Sequence, residues 1–304
     1  MRVACSMRQV GWRTSYVLLL LIIYVSCHSG PPPSFSPQAM FITAADGVPL
    51  RYDVDGLGSP PLVFVHGWSC DRTYWEQQMK HFQSDHLVVV MDLAGHGESG
   101  LDRTTWSMEA FGQDVVSVVN KLDLKDVILI GHSMGGSVIL EAARMMPNRV
   151  SALVAVDTFF DVETMMTQDQ ADQFLRPFRS NFRAATRSYV SKYMFTPATD
   201  ASLIEAIATD MSLAPPDVAI EVLASLLRYD TPSALQQVGG PVYCINSDKY
   251  LTKVDVAREY APSFDASILA DVGHFLMMER PEDFNELLGQ TLDALLVETG
   301  RTAS

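Results

Sequence analysis

The chain has 304 residues, 48% of them apolar, which is ample for a buried core, and its 36 acidic against 22 basic side chains leave a net charge of −14. That balance argues against nucleic acid or an anionic surface as a partner, and no basic run contradicts it. The length admits two domains, although α/β folds of this size are commonly one domain with an insertion.

Arg2, Arg8 and Arg13 precede an apolar run over 17–25, and small residues lead into Gly30-Pro31-Pro32-Pro33. This is the pattern of a signal peptide over 1–29. The run is short for a transmembrane helix, which needs about 20 apolar residues. Tyr24-Val25-Ser26-Cys27 is similar to a bacterial lipobox, in which Cys27 becomes the lipidated first residue. The expectation is a secreted or cell-envelope protein, with simple secretion, a lipid anchor on Cys27 and an uncleaved anchor as the alternatives.

A proline-rich linker over 30–38 leads to Met40-Phe41-Ile42-Thr43 and Leu50-Arg51-Tyr52-Asp53-Val54, which flank the hairpin signal Asp46-Gly47. Strands near 61–65, 86–91, 126–130, 151–156, 241–246 and 267–270 then alternate with helical patterns near 72–83, 106–121, 134–146, 252–260 and 281–298. Such alternation predicts a mainly parallel sheet with helices on both faces. The core is expected in two parts, 39–157 and 234–304. Between them, 158–233 holds helical stretches and no convincing strand, which predicts a helical cap. Its aromatic and methionine residues favour an apolar or aromatic acyl group.

Gly131-His132-Ser133-Met134-Gly135 falls where a buried strand turns into a helix. There the serine is held in a strained turn, and small residues two positions away on each side relieve crowding. A serine hydroxyl needs a general base, an acid to orient that base, and donors for the oxyanion. His274, on the loop after the run 267–270, is the candidate base. Asp248, after the strand 241–246, is the preferred acid, and Asp157, after 151–156, is the rival. The backbone N–H groups of Trp68 and Met134 are the candidate oxyanion donors, with the helix from Met134 adding the positive end of its dipole. His66 and His96 read as residues that shape loops. Cys70 and Cys244 lie near strands that should not adjoin and are expected as thiols; no His or Cys cluster has metal-ligand spacing.

His66-Gly67-Trp68, the segment Asp92 to Ser99, Gly131 to Gly136, and Gly273-His274-Phe275 followed by Glu279-Arg280-Pro281 resemble, in order and spacing, the motifs of α/β-hydrolase-fold serine hydrolases. The resemblance covers roughly 40 to 297 and implies the α/β-hydrolase fold with Ser133, His274 and Asp248 as nucleophile, base and acid. One departure bears on the acid: the family often has glycine three residues before it, and Ile245 stands there. Serine at 133, where related dehalogenases and epoxide hydrolases carry aspartate, implies an acyl-enzyme. The expected reaction is hydrolysis of a small carboxylic ester or lactone, with no cofactor. The alternatives are a carbon–carbon bond hydrolase, a thioesterase and a non-catalytic ligand-binding member. The sequence leaves the oligomeric state open.

Overall fold

Eight strands separated by turns and helices assemble into one sheet in a computed structural model that describes residues 40–298. The expected signal segment, Cys27 and the linker over 30–38 lie outside these residues. The strands are β1 (Met40–Thr43), β2 (Pro49–Asp55), β3 (Leu62–Val65), β4 (Val88–Met91), β5 (Val127–His132), β6 (Val150–Val156), β7 (Val242–Ser247) and β8 (Asp265–Leu269). Their order is β1-β2-β4-β3-β5-β6-β7-β8. The hairpin β1–β2 and the pair β2–β4 are antiparallel, and every later pairing is parallel. Each residue of β3, β4 and β5 is buried. Helices on both faces dictate this, which is why these strands read as unbroken apolar runs rather than alternating ones.

The predicted helix over 72–83 is divided. The Asp71 carboxylate accepts from Thr73 N–H at 2.7 Å and caps a 3-10 turn over Arg72–Trp75, and α1 (Glu76–Phe82) follows. Ser107 caps α2 (Met108–Lys121), which packs against α3 (Met134–Met145).

Between β6 and β7 come α4 (Gln168–Ser180), α5 (Phe182–Tyr193), α6 (Ala201–Met211), α7 (Pro216–Leu227) and α8 (Thr231–Leu235), with no strand among these described residues. Thr167 and Gln170 form a reciprocal capping box at the start of α4, and Asn181 and Asp200 cap α5 and α6 through their side chains. The helical cap expected from the sequence is therefore present as local structure. Its last helix, α8, packs on α3, so the expected boundary at 233 falls inside a helix anchored to the core. After β7 come α9 (Val254–Arg258), α10 (Leu276–Glu279) and α11 (Pro281–Glu298). No helix among the described residues is long and apolar enough to cross a membrane.

Candidate active site

The sheet places Ser133 directly after β5, in the only sharp strand-to-helix turn that leads into α3. Its φ of 52° and ψ of −116° lie in a region that favours glycine. The turn is held by Ser133 N–H donating to Val156 O at 2.8 Å and Gly136 N–H donating to Ser133 O at 2.9 Å. Close packing explains the glycines: a Cβ at Gly131 would lie 2.3 Å from Gly135 O, and one at Gly67 would lie 3.3 Å from Ser133 Cβ. The loop after β3 therefore passes directly over the serine.

His274 sits on the loop between β8 and α10, and its ring Nδ1–H donates to Asp157 Oδ2 at 2.6 Å. The acid expected at 248 is corrected by this contact. Asp157 follows β6, the strand next to β5, and is 3% exposed. With φ of 49° its backbone turns sharply at the strand end, and its other oxygen, Oδ1, accepts from Ser247 N–H at 2.7 Å. Asp248 follows β7, one strand further away at about 4.8 Å per strand. It is exposed, and its carboxylate accepts from Asp271 N–H at 3.1 Å. It thus supports the backbone that leads to His274 rather than the ring.

His132, beside Ser133, donates from Nε2–H to His274 O at 2.8 Å, and the two rings lie 4.6 Å apart. Burial pushes its pKa well below the ordinary value, with the nearby His274 acting in the same direction. His132 is thus a neutral donor that fixes the His274 peptide next to the serine.

The two expected oxyanion donors, Trp68 and Met134, lie on the loop after β3 and at the start of α3. Met134 is the first residue of α3, so its N–H is among those a helix leaves without an internal acceptor. Trp68 lies between Gly67 and Ser69, whose φ is 56°. Its indole Nε1–H donates to Ala219 O in α7 at 2.8 Å, and its ring meets Phe178 edge-on at 5.8 Å. The cap therefore braces the loop that overhangs the serine.

His66 braces that loop from below, donating from Nδ1–H to Gly67 O at 2.8 Å and accepting from Leu93 N–H at Nε2, 3.0 Å away. Burial lowers its pKa to about 4 and that of His96 to about 3. Both are neutral loop-shaping residues. Cys70 and Cys244 are free buried thiols, and among the described residues no group of His, Cys, Asp and Glu has a metal-site arrangement.

One residue that the sequence reading took only as part of a motif proves central to the loop. Glu279 accepts at Oε2 from Gly273 N–H at 3.1 Å and from the Thr199 hydroxyl at 2.5 Å, and at Oε1 from Phe275 N–H at 3.1 Å. Both amides flanking His274 thus end on one carboxylate. His274 N–H itself donates to Met194 O, just past α5, at 2.6 Å. Lys249 donates to Tyr193 O and, at 3.4 Å, to Phe195 O, tying the same stretch of cap to the loop after β7. Burial lowers the Lys249 pKa, while Asp157 and Glu279 oppose that shift. The signal for Glu279 was its place five residues after the histidine and ahead of Arg280-Pro281, where it can fold back on the loop.

With this geometry in place, the profile of the alpha/beta hydrolase family matches residues 62–287. The chain belongs to the alpha/beta hydrolase family. It is similar to the dihydrolipoyllysine-residue acetyltransferase component of the acetoin cleaving system of Pseudomonas putida, 27% identical over 246 residues, which are 77% of this chain and 64% of that protein. It is also similar to 3-oxoadipate enol-lactonase 2 of Acinetobacter baylyi, 26% identical over 254 residues, which cover 80% and 92% of the two chains. Among solved structures, a thermophilic esterase of Thermogutta terrifontis superposes with a TM-score of 0.74 at 24% identity, covering 85% of this chain and 99% of its own. The chain therefore shares its fold with that esterase over nearly the whole of the esterase chain.

Proposed function

We propose that this α/β hydrolase cleaves a small carboxylic ester or lactone through an acyl-enzyme on Ser133. The observation that carries the reading is the 2.6 Å bond between His274 Nδ1 and Asp157, on a loop whose carbonyl is tied to His132 beside the serine. Asp157 holds the Nδ1–H tautomer, which leaves Nε2 free to accept a proton. Ser133 Oγ attacks the carbonyl carbon as its proton passes to His274 Nε2. The resulting oxyanion is met by the N–H groups of Trp68 and Met134 and by the positive end of α3, each donor being worth about 3 kcal/mol in systems of this kind. His274 then protonates the leaving alkoxide, which departs as the alcohol. Water, deprotonated by the same histidine, attacks the acyl group and releases the acid with Ser133 restored. The enol-lactonase and esterase relatives support this substrate class.

The test is hydrolysis of 4-nitrophenyl acetate, butyrate and octanoate by the wild type and by Ser133→Ala. Turnover that disappears in the variant is expected; turnover that survives in it overturns the reading. From the segment 1–29 alone, export of the enzyme and lipid attachment at Cys27 are also proposed. Labelling with a palmitate analogue, lost in Cys27→Ser, is the result expected of an anchored form.

A further inference from the structure

A cleft of about 520 Å³ opens between α4, α5 and the loop after β7, lined chiefly by Phe174, Pro177, Phe178, Tyr189, Tyr193 and Tyr250. Its volume falls in the range of small-molecule sites, about 300–1,000 Å³. Its walls connect to three separate parts of the candidate active site. Phe178 meets the Trp68 ring edge-on at 5.8 Å. Tyr193 is followed by Met194, whose carbonyl accepts His274 N–H. Tyr250 meets Phe160 at 5.3 Å, three residues after Asp157. Wall residues of the cleft therefore touch or adjoin the segments that carry Trp68, His274 and Asp157, while those three residues themselves lie behind the wall rather than in its lining.

The rings are arranged to accept a flat guest. Phe174 and Phe178 stack at 5.8 Å and 25°, and Tyr189 stands edge-on to Phe174 at 5.6 Å. Faces and edges are thus both presented, as an inserted ring requires. A cage of this kind could in principle hold a quaternary ammonium. Two observations oppose that: among the described residues no carboxylate lines the cleft, and two ammonium groups already lie over its rings. Lys192 Nζ is 5.0 Å from the Tyr193 ring centre, and Lys249 Nζ is 6.0 Å from that of Tyr250.

We infer that the aromatic cleft over α4 and α5 binds the alcohol side of the ester, and that this part is neutral and aromatic. The inference rests on the reading of Ser133 as the nucleophile for its link to turnover, but not for the binding itself. The full-length Ser133→Ala protein is titrated calorimetrically with benzyl acetate, ethyl acetate and acetylcholine, and the titrations are repeated with the added substitution Tyr250→Ala. Tyr250 is 54% exposed, so its removal leaves the core intact. Benzyl acetate should bind about tenfold to a hundredfold more tightly than ethyl acetate, as expected for one buried ring. Acetylcholine should gain nothing, and Tyr250→Ala should erase most of the benzyl preference.

Equal binding of the three esters, a preference for acetylcholine, or a benzyl preference undiminished in Tyr250→Ala would each overturn the inference. Turnover by the wild type separates the two claims. A benzyl preference without wild-type hydrolysis leaves the cleft standing and removes the esterase reading. Ser133-dependent hydrolysis without a benzyl preference does the reverse.

Discussion

Replacing Asp157 by Asn changes one atom of the site and reverses its proton order. The Ser247 N–H bond to Oδ1 can be kept, but Nδ2 then occupies the place of the oxygen that accepts from His274 Nδ1. An amide NH2 only donates there, so Nδ1 must become the acceptor and the ring proton moves to Nε2. Nε2, the proton acceptor in the proposed mechanism, is then already protonated and cannot take the serine proton. Loss of the correct tautomer in a comparable triad costs about four orders of magnitude in kcat, or roughly 5.4 kcal/mol of transition-state stabilisation. Asp248→Asn keeps an accepting oxygen for Asp271 N–H and is expected to stay within about threefold of the wild type, because a single exposed hydrogen bond is worth little. The assay is kcat for 4-nitrophenyl butyrate on both variants, with circular dichroism to confirm folding. An Asp157→Asn enzyme that keeps a tenth of the wild-type rate, or an Asp248→Asn enzyme that loses as much as Asp157→Asn, would refute this reasoning.

Two further perturbations follow from the same geometry. In Glu279→Gln one oxygen that accepts a backbone amide becomes a donor, leaving Gly273 or Phe275 N–H unpaired. At about 1–3 kcal/mol for such a group, kcat should fall roughly tenfold to a hundredfold while KM changes little, as stopped-flow kinetics would show. Folding stability should also decline on acidification. His66 and His96, held near 4 and 3 by burial, are neutral in the fold and take up protons on unfolding, so their contribution is complete above about 6.5 and is lost as pH falls from there. Each removes roughly 2 kcal/mol by pH 5. Asp114, raised to about 6 by burial, works in the opposite sense and returns about 1 kcal/mol over the same interval. The urea midpoint should therefore be distinctly lower at pH 5 than at pH 7.5; a flat profile would contradict the buried neutral histidines.

The parallel sheet was legible because burial on both faces leaves unbroken apolar runs such as Leu62–Val65 and Val88–Met91. The positions of Ser133, His274, Trp68 and Met134 in the fold were legible because each lies just past a strand or at the start of a helix, which local patterns reveal. The carboxylate that bonds His274 is Asp157 rather than the expected Asp248, because that partner depends on which strand lies beside β5, and pairing order is not written locally. Ile245, standing where the family often has glycine, was the one local sign that the turn after β7 is not built to present an acid. Glu279 could be read only as part of the Glu279-Arg280-Pro281 segment, because its bonds to the Gly273 and Phe275 amides and the Thr199 hydroxyl depend on how the loop and the cap fold together. The cap helices could be read from their periodicity and capping residues. Their docking, through Trp68 to Ala219 and His274 to Met194, again rests on main-chain carbonyls.

The central claim is that Ser133 is the nucleophile, and its most direct test is covalent. The wild-type protein is treated with a fluorophosphonate, digested, and its peptides are read by mass spectrometry. One adduct per chain on Ser133, slowed by orders of magnitude in Asp157→Asn, is the result predicted. A protein that stays unlabelled, or that is labelled at another residue, would contradict the account.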